Sequence, residues 1–184
     1  MIDYAGPWEV FQDVHIPARG TSMNDQMPFQ LFTVSDNTEI VTGSAGLKIV
    51  PNYDFQSAPL PKVVVIPAQA GRTDAMFNWL RRVTETADVV MSVCTGVFIL
   101  AQAGLLKGRP ATTHHDFIDR LASQYPDIEI KRGLRFIEGP KISTAGGLTS
   151  GIDLALRVVE RYFGREVAQT TADYMEYQSK GWLV

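Results

Sequence analysis

Residues 88–104, DVVMSVCTGVFILAQAG, decide how this chain is read. Asp88–Val93 is a valine-rich, mostly apolar run, the pattern of a strand buried in a parallel sheet. Thr95 and Gly96 then open a segment in which Val97, Leu100 and Ala101 recur at helical spacing, and Gly104 supplies a stop. Cys94, the only cysteine, stands at the junction. A cysteine between a strand end and a helix start has backbone N–H groups around it and a helix dipole behind it. Both favour the thiolate, which makes Cys94 a candidate nucleophile. The plainer alternative is a core cysteine acting as a small hydrophobe.

Working outward, Lys62–Pro67 (KVVVIP) is the clearest other strand and runs into the loop Ala68-Gln69-Ala70-Gly71. Tyr4–Val14 is expected to be a short helix, Phe29–Val34 a strand, and Glu39–Asp54 a hairpin interrupted by Gly43 and Gly46. Asp74–Thr86 and a stretch from Asp116 to Gln124 are expected as helices, with Thr95–Ala103 between them. Ile128–Arg132, Leu134–Glu138 and Lys141–Thr144 are expected as short strands, followed by the helices Ser150–Phe163 and Arg165–Glu176 split at Gly164. Apolar strands alternating with helices predict an α/β fold with a mostly parallel central sheet covered on both faces, and a single domain over residues 1–184. Such sheets place their sites beyond the carboxyl ends of the strands, where Cys94, the AQAG loop and the TTHH segment at residues 112–115 meet. The chain enters its first helix almost at once, so the strand that usually opens a doubly wound sheet is expected to be missing or truncated.

The 184 residues are 45% hydrophobic with a net charge of −3, enough for a real core and without the basic stripe that nucleic-acid binding needs. A single cysteine excludes an intrachain disulfide. One cysteine and three histidines lack the paired spacings of a structural zinc site. No apolar run approaches the length of a membrane span, and the first residues do not read as a secretory leader. A cytoplasmic protein with no membrane or nucleic-acid partner is the expectation.

The string SVCTGVFILAQAGLLKGRPATTHH resembles the nucleophile region of the ThiJ/PfpI superfamily, in the branch that contains isonitrile hydratases. DYAGPWEVF near the start, TAGGLTSGIDLALRVVERYFG near the end and the closing MEY are similar to the same branch, so the resemblance covers nearly the whole chain. It implies a three-layer, flavodoxin-like sandwich, usually a homodimer, with Cys94 on a strained strand–helix elbow. In that branch the cysteine adds to the terminal carbon of an isonitrile and water releases an N-substituted formamide, with no cofactor or metal. Carried over, Cys94 is the nucleophile, Asp3 the proton-shuttling carboxylate and Thr95 the neighbour whose hydroxyl and N–H face the pocket. Ala68, Gln69, Gly71, His114 and Gly147 line the site. The family's usual PGG loop reads Pro67-Ala68-Gln69-Ala70-Gly71 here, and a glutamine is poorly suited if that position needs positive φ.

Several of these residues have plainer roles. Asp3 suits the N-cap of the first helix, and so close to a free terminus it is expected to fray. His114 could pair with the cysteine or merely line the site, while His115 faces solvent. Gly146-Gly147 ahead of a helix is a tight turn capped by Thr149 or Ser150, since the spacing and lysine of a phosphate-binding loop are lacking. Function is therefore expected to be cysteine chemistry on a small electrophile, with an isonitrile as the specific reading. The alternatives are a non-catalytic binding or redox-sensing domain, and glyoxalase or deglycase chemistry on reactive carbonyls, which favours a glutamate where this chain offers Asp3 or Glu9.

Overall fold

A computed structural model describes residues 1–184. The helices are α1 (Ile2–Gln12), α2 (Met23–Gln26), α3 (Asp74–Thr86), α4 (Val97–Gln102), α5 (Ile118–Gln124), α6 (Ser150–Phe163) and α7 (Arg165–Tyr174). The strands are β1 (Val34–Ser35), β2 (Val41–Thr42), β3 (Lys48–Ile49), β4 (Tyr53–Asp54), β5 (Val63–Ile66), β6 (Val89–Val93), β7 (Pro110–Ala111), β8 (Glu129–Ile130), β9 (Phe136–Ile137) and β10 (Ile142–Ala145).

The central sheet has the order β5-β6-β10-β9. β5, β6 and β10 run parallel, and β9 closes one edge antiparallel to β10. Every residue of β6 is buried, as its unbroken apolar run predicts for a strand covered on both faces. Its side chains alternate: Val90 joins a core with α3 and α4, while Val89, Met91 and Val93 join a second core with α1, α6 and α7. Helices on both faces of a parallel sheet make the three-layer α/β sandwich expected from the sequence.

No strand precedes α1 in this structure, and β5 pairs with β6 alone. The β1–β4 pair forms a separate parallel ribbon, and β2–β3 is the expected hairpin. Of the predicted Phe29–Val34 strand only Val34 is in a ladder; Phe29 is instead held by its ring against Phe11 and Phe163. The first helix starts earlier than predicted, because the Met1 carbonyl already accepts from the N–H groups of Tyr4 and Ala5. The segment after Cys94 opens with a 3-10 turn, Cys94–Gly96, before α4 begins.

Candidate active site

β6 delivers Cys94 to the carboxyl edge of the sheet with φ at +57°, in the left-handed region that costs an ordinary residue about 1–2 kcal/mol. Long-range hydrogen bonds hold it there. The Cys94 N–H donates to the Gly146 carbonyl at 2.9 Å, and the Thr113 hydroxyl donates to the Cys94 carbonyl at 2.7 Å. A backbone forced into a sparsely populated conformation persists only when its surroundings over-determine it, and here they do. Gly96 completes the elbow, because a methyl group in its place would overlap the carbonyl oxygen of Ile66 at the end of β5.

Asp3 lies inside the first turn of α1, not at its cap, and is only 4% exposed. Its Oδ2 accepts the Ala68 N–H at 3.2 Å, which ties the start of the chain to the loop after β5. The frayed terminus expected of residue 3 is thus replaced by a buried, anchored carboxylate. No partner satisfies Oδ1. Burial pushes the Cys94 thiol up, and the Asp3 carboxylate adds to this through its charge and as an acceptor for the S–H. The backbone N–H groups of Thr95 and Leu148 donate to the sulfur and pull the other way. Burial and the Asp3 carboxylate thus oppose the thiolate that the sequence favours. Burial beside a carboxylate outweighs two N–H groups, and α4, six residues long, supplies little dipole.

The structure gathers Cys94, Asp3, Ala68 and Thr95 at this edge. Thr95 contributes its N–H, and its hydroxyl makes no hydrogen bond within the protein. Gln69 escapes the positive φ that a glycine-rich loop would allow, and its amide donates to the Met76 sulfur at 3.1 Å. Gly71 is exposed, with open space where a side chain would stand. The His114 ring packs against Gly147, where any side chain would overlap it. Its Nδ1 accepts the Asp116 N–H at 3.3 Å, and it makes no hydrogen bond to Cys94. Thr149 stands at the N-cap of α6 but its side chain makes no cap hydrogen bond; its hydroxyl accepts from Arg135 instead.

Two groups at this edge carry no signature in the sequence. The Leu148 N–H is a backbone donor, which no side-chain pattern announces. Thr113 lies within the TTHH segment but carries no distinguishing signal of its own. For metal ligation, His114, His115 and Asp116 bring three donor groups within 4.8 Å of one another, with both His115 and Asp116 exposed. A depression of about 490 Å³ lined by Glu85, Asp88, Lys141 and Arg161 sits at the opposite end of the sheet, away from the cysteine.

A three-layer α/β sandwich with a cysteine on a left-handed strand–helix turn defines the class of this protein. The chain belongs to the DJ-1/PfpI family, which it matches over residues 1–161. It is 32% identical to isonitrile hydratase from Pseudomonas putida over 184 residues, covering 96% of this chain and 73% of that protein. It is 35% identical over 134 residues to the HTH-type transcriptional regulator CdhR from Pseudomonas aeruginosa, spanning 70% of this chain but only 39% of the regulator. The crystal structure of a ThiJ/PfpI family protein from Pseudomonas syringae superposes with a TM-score of 0.77 at 27% identity, covering 97% of this chain and 70% of that one. No helix is long and apolar enough to cross a membrane.

Proposed function

We propose that this protein is a cysteine-dependent, cofactor-independent hydratase that converts isonitriles to N-substituted formamides. The observation that carries the reading is the buried pair of Asp3 and Cys94, a thiol whose pKa is raised by burial and by the carboxylate beside it. Adding S–H across the terminal carbon of an isonitrile needs a nucleophilic sulfur and a proton delivered to the same carbon. Asp3 takes the thiol proton as the sulfur attacks and returns it to that carbon, giving a thioimidate bound to Cys94. Water then adds to the thioimidate carbon, the C–S bond breaks, the sulfur regains a proton, and the formamide leaves. Substrate and water atoms are all accounted for, with no oxidant, reductant or metal required.

The similarity to isonitrile hydratase along nearly the whole chain supports this choice of electrophile. Glyoxalase-like chemistry is less well served, because the glutamate it favours would have to be Glu9, which is exposed on α1. The reading expects residues 1–184 to act as one domain in a cytoplasmic homodimer. Purified protein incubated with cyclohexyl isonitrile should yield N-cyclohexylformamide, and Cys94→Ala should abolish the product. Turnover that survives the alanine substitution would sink the mechanism.

A second reading is a small-molecule sensing domain, supported by the similarity to transcriptional regulators. Saturable isonitrile binding without formamide would favour it.

A further inference from the structure

Leu148, whose N–H works to lower the Cys94 thiol pKa, sits in a left-handed conformation, φ +53°, yet its side chain is 51% exposed and packs into no core. Its orientation is therefore imposed by its neighbours. Both flanks of the Gly147-Leu148 pair are gripped by one polar network. On one side, the Gly146 N–H donates to the Arg135 carbonyl at 2.8 Å, and the Gly146 carbonyl holds the Cys94 N–H at 2.9 Å. On the other, the Arg135 guanidinium donates to the Thr149 hydroxyl at 3.2 Å, and the Tyr177 hydroxyl lies 3.4 Å from the Thr149 carbonyl. At the hub is Asp153, a carboxylate with no solvent exposure in the first turn of α6. It receives the Arg135 Nε–H, the Tyr177 hydroxyl at 3.1 Å and the Ser179 hydroxyl at 3.3 Å.

We propose that Asp153 and Arg135 are positioning residues that fix the Gly146–Thr149 turn against the Cys94 elbow, where the Gly146 carbonyl holds the Cys94 N–H, and so aim the Leu148 N–H at the sulfur. A buried carboxylate bonded on several sides is a stiff anchor, and the planar guanidinium spans Asp153 and Thr149 in a way a lysine cannot. Loss of the clamp lets Leu148 relax out of its left-handed conformation and turns its N–H away from the sulfur. This inference rests on reading Cys94 as the reacting group, but not on which electrophile it attacks.

The test is the pH profile of Cys94 alkylation by iodoacetamide, measured on the full chain together with its thermal midpoint. Asp153→Asn and Arg135→Gln should each move the profile to higher pH and slow alkylation at pH 8 roughly tenfold, the scale of losing one hydrogen bond to a charged group. Arg135→Lys should recover only part of the loss. Ser179→Ala, which removes an Asp153 contact remote from Thr149, should leave the profile in place. Should Asp153→Asn fail to fold, Arg135→Gln at a half-exposed side chain carries the test. A lowered thermal midpoint with an unmoved profile in Arg135→Gln would make the network purely structural and overturn the proposal. A moved profile in a protein that never turns over an isonitrile would overturn the hydratase reading and leave this one standing.

Discussion

The hydroxyl of Thr113 and the carbonyl of Cys94 are joined by a buried hydrogen bond of 2.7 Å, across 19 residues of sequence. The bond fixes the exit of the elbow as Gly146 fixes its entrance. Thr113→Val keeps the shape and removes the donor, leaving a buried carbonyl unpaired, and should destabilise the protein by about 1–3 kcal/mol. Thr113→Ser should recover most of it. Urea denaturation of the three proteins checks this, and equal midpoints would show that the bond carries no stability.

Replacing the cysteine separates the cost of its backbone from the value of its sulfur. At φ +57° alanine keeps the steric penalty that glycine lacks. Cys94→Gly should therefore be more stable than Cys94→Ala by about 1 kcal/mol, the reverse of their order in ordinary structure. Parallel denaturation curves decide it.

Gly96 tolerates no side chain because the atom in its way is backbone, the Ile66 carbonyl oxygen, which cannot step aside as a rotamer would. Gly96→Ala should cost about 1–3 kcal/mol through overpacking and pull α4 away from β5. Loss of soluble expression, or a matching fall in thermal midpoint, is the expected readout.

Charge removal at Asp3 should act on the sulfur. The carboxylate raises the thiol pKa, so Asp3→Asn should lower it and speed alkylation at neutral pH, although the same change removes the proposed proton carrier and should abolish formamide production. A faster-alkylating, inactive variant is the expected pairing, scored by iodoacetamide kinetics alongside turnover.

Stability should fall on the alkaline side. The folded chain holds the Cys94 proton more tightly than the unfolded chain, whose thiol titrates at about 8.5. That contribution is complete below this pH and fades as pH rises through the raised folded value. Tyr162 is pushed up to about 12 by burial, with the Asp88 carboxylate that accepts its hydroxyl adding to the rise. Its contribution is lost between about pH 10, the ordinary tyrosine value, and that raised value. Cys94→Ala should flatten the first part of the alkaline decline and Tyr162→Phe the second, in thermal scans from pH 7 to 11.

What the sequence reveals, and what it hides, divides along physical lines. Asp74–Thr86 is legible to the residue because its apolar face repeats with helical period and Thr73 caps it through the Met76 N–H. The elbow at Cys94 is legible because a valine run must end where a glycine-bearing turn begins. Hidden is whatever depends on distant backbone. The Leu148 donor could be supplied by any residue, and Asp153 reads as one more helix carboxylate until the fold brings Arg135 and Tyr177 to it. The upward push on the Cys94 thiol is hidden for the same reason. Local sequence shows the N–H groups that favour a thiolate, whereas Asp3 and the burial that oppose it come from 91 residues away.

The bond between Asp3 and the Ala68 N–H joins positions 65 apart, and the groups around the sulfur come from four separate stretches of chain. Contacts so widely spaced are slow to close during folding, because each requires a long loop to be ordered first. The carboxylate, the elbow and the turn before α6 thus come into register only once α1, β5 and α6 have all docked. Nascent or partly unfolded chains expose this thiol without its carboxylate or its N–H donors, so the environment of the sulfur is assembled only by completion of the fold.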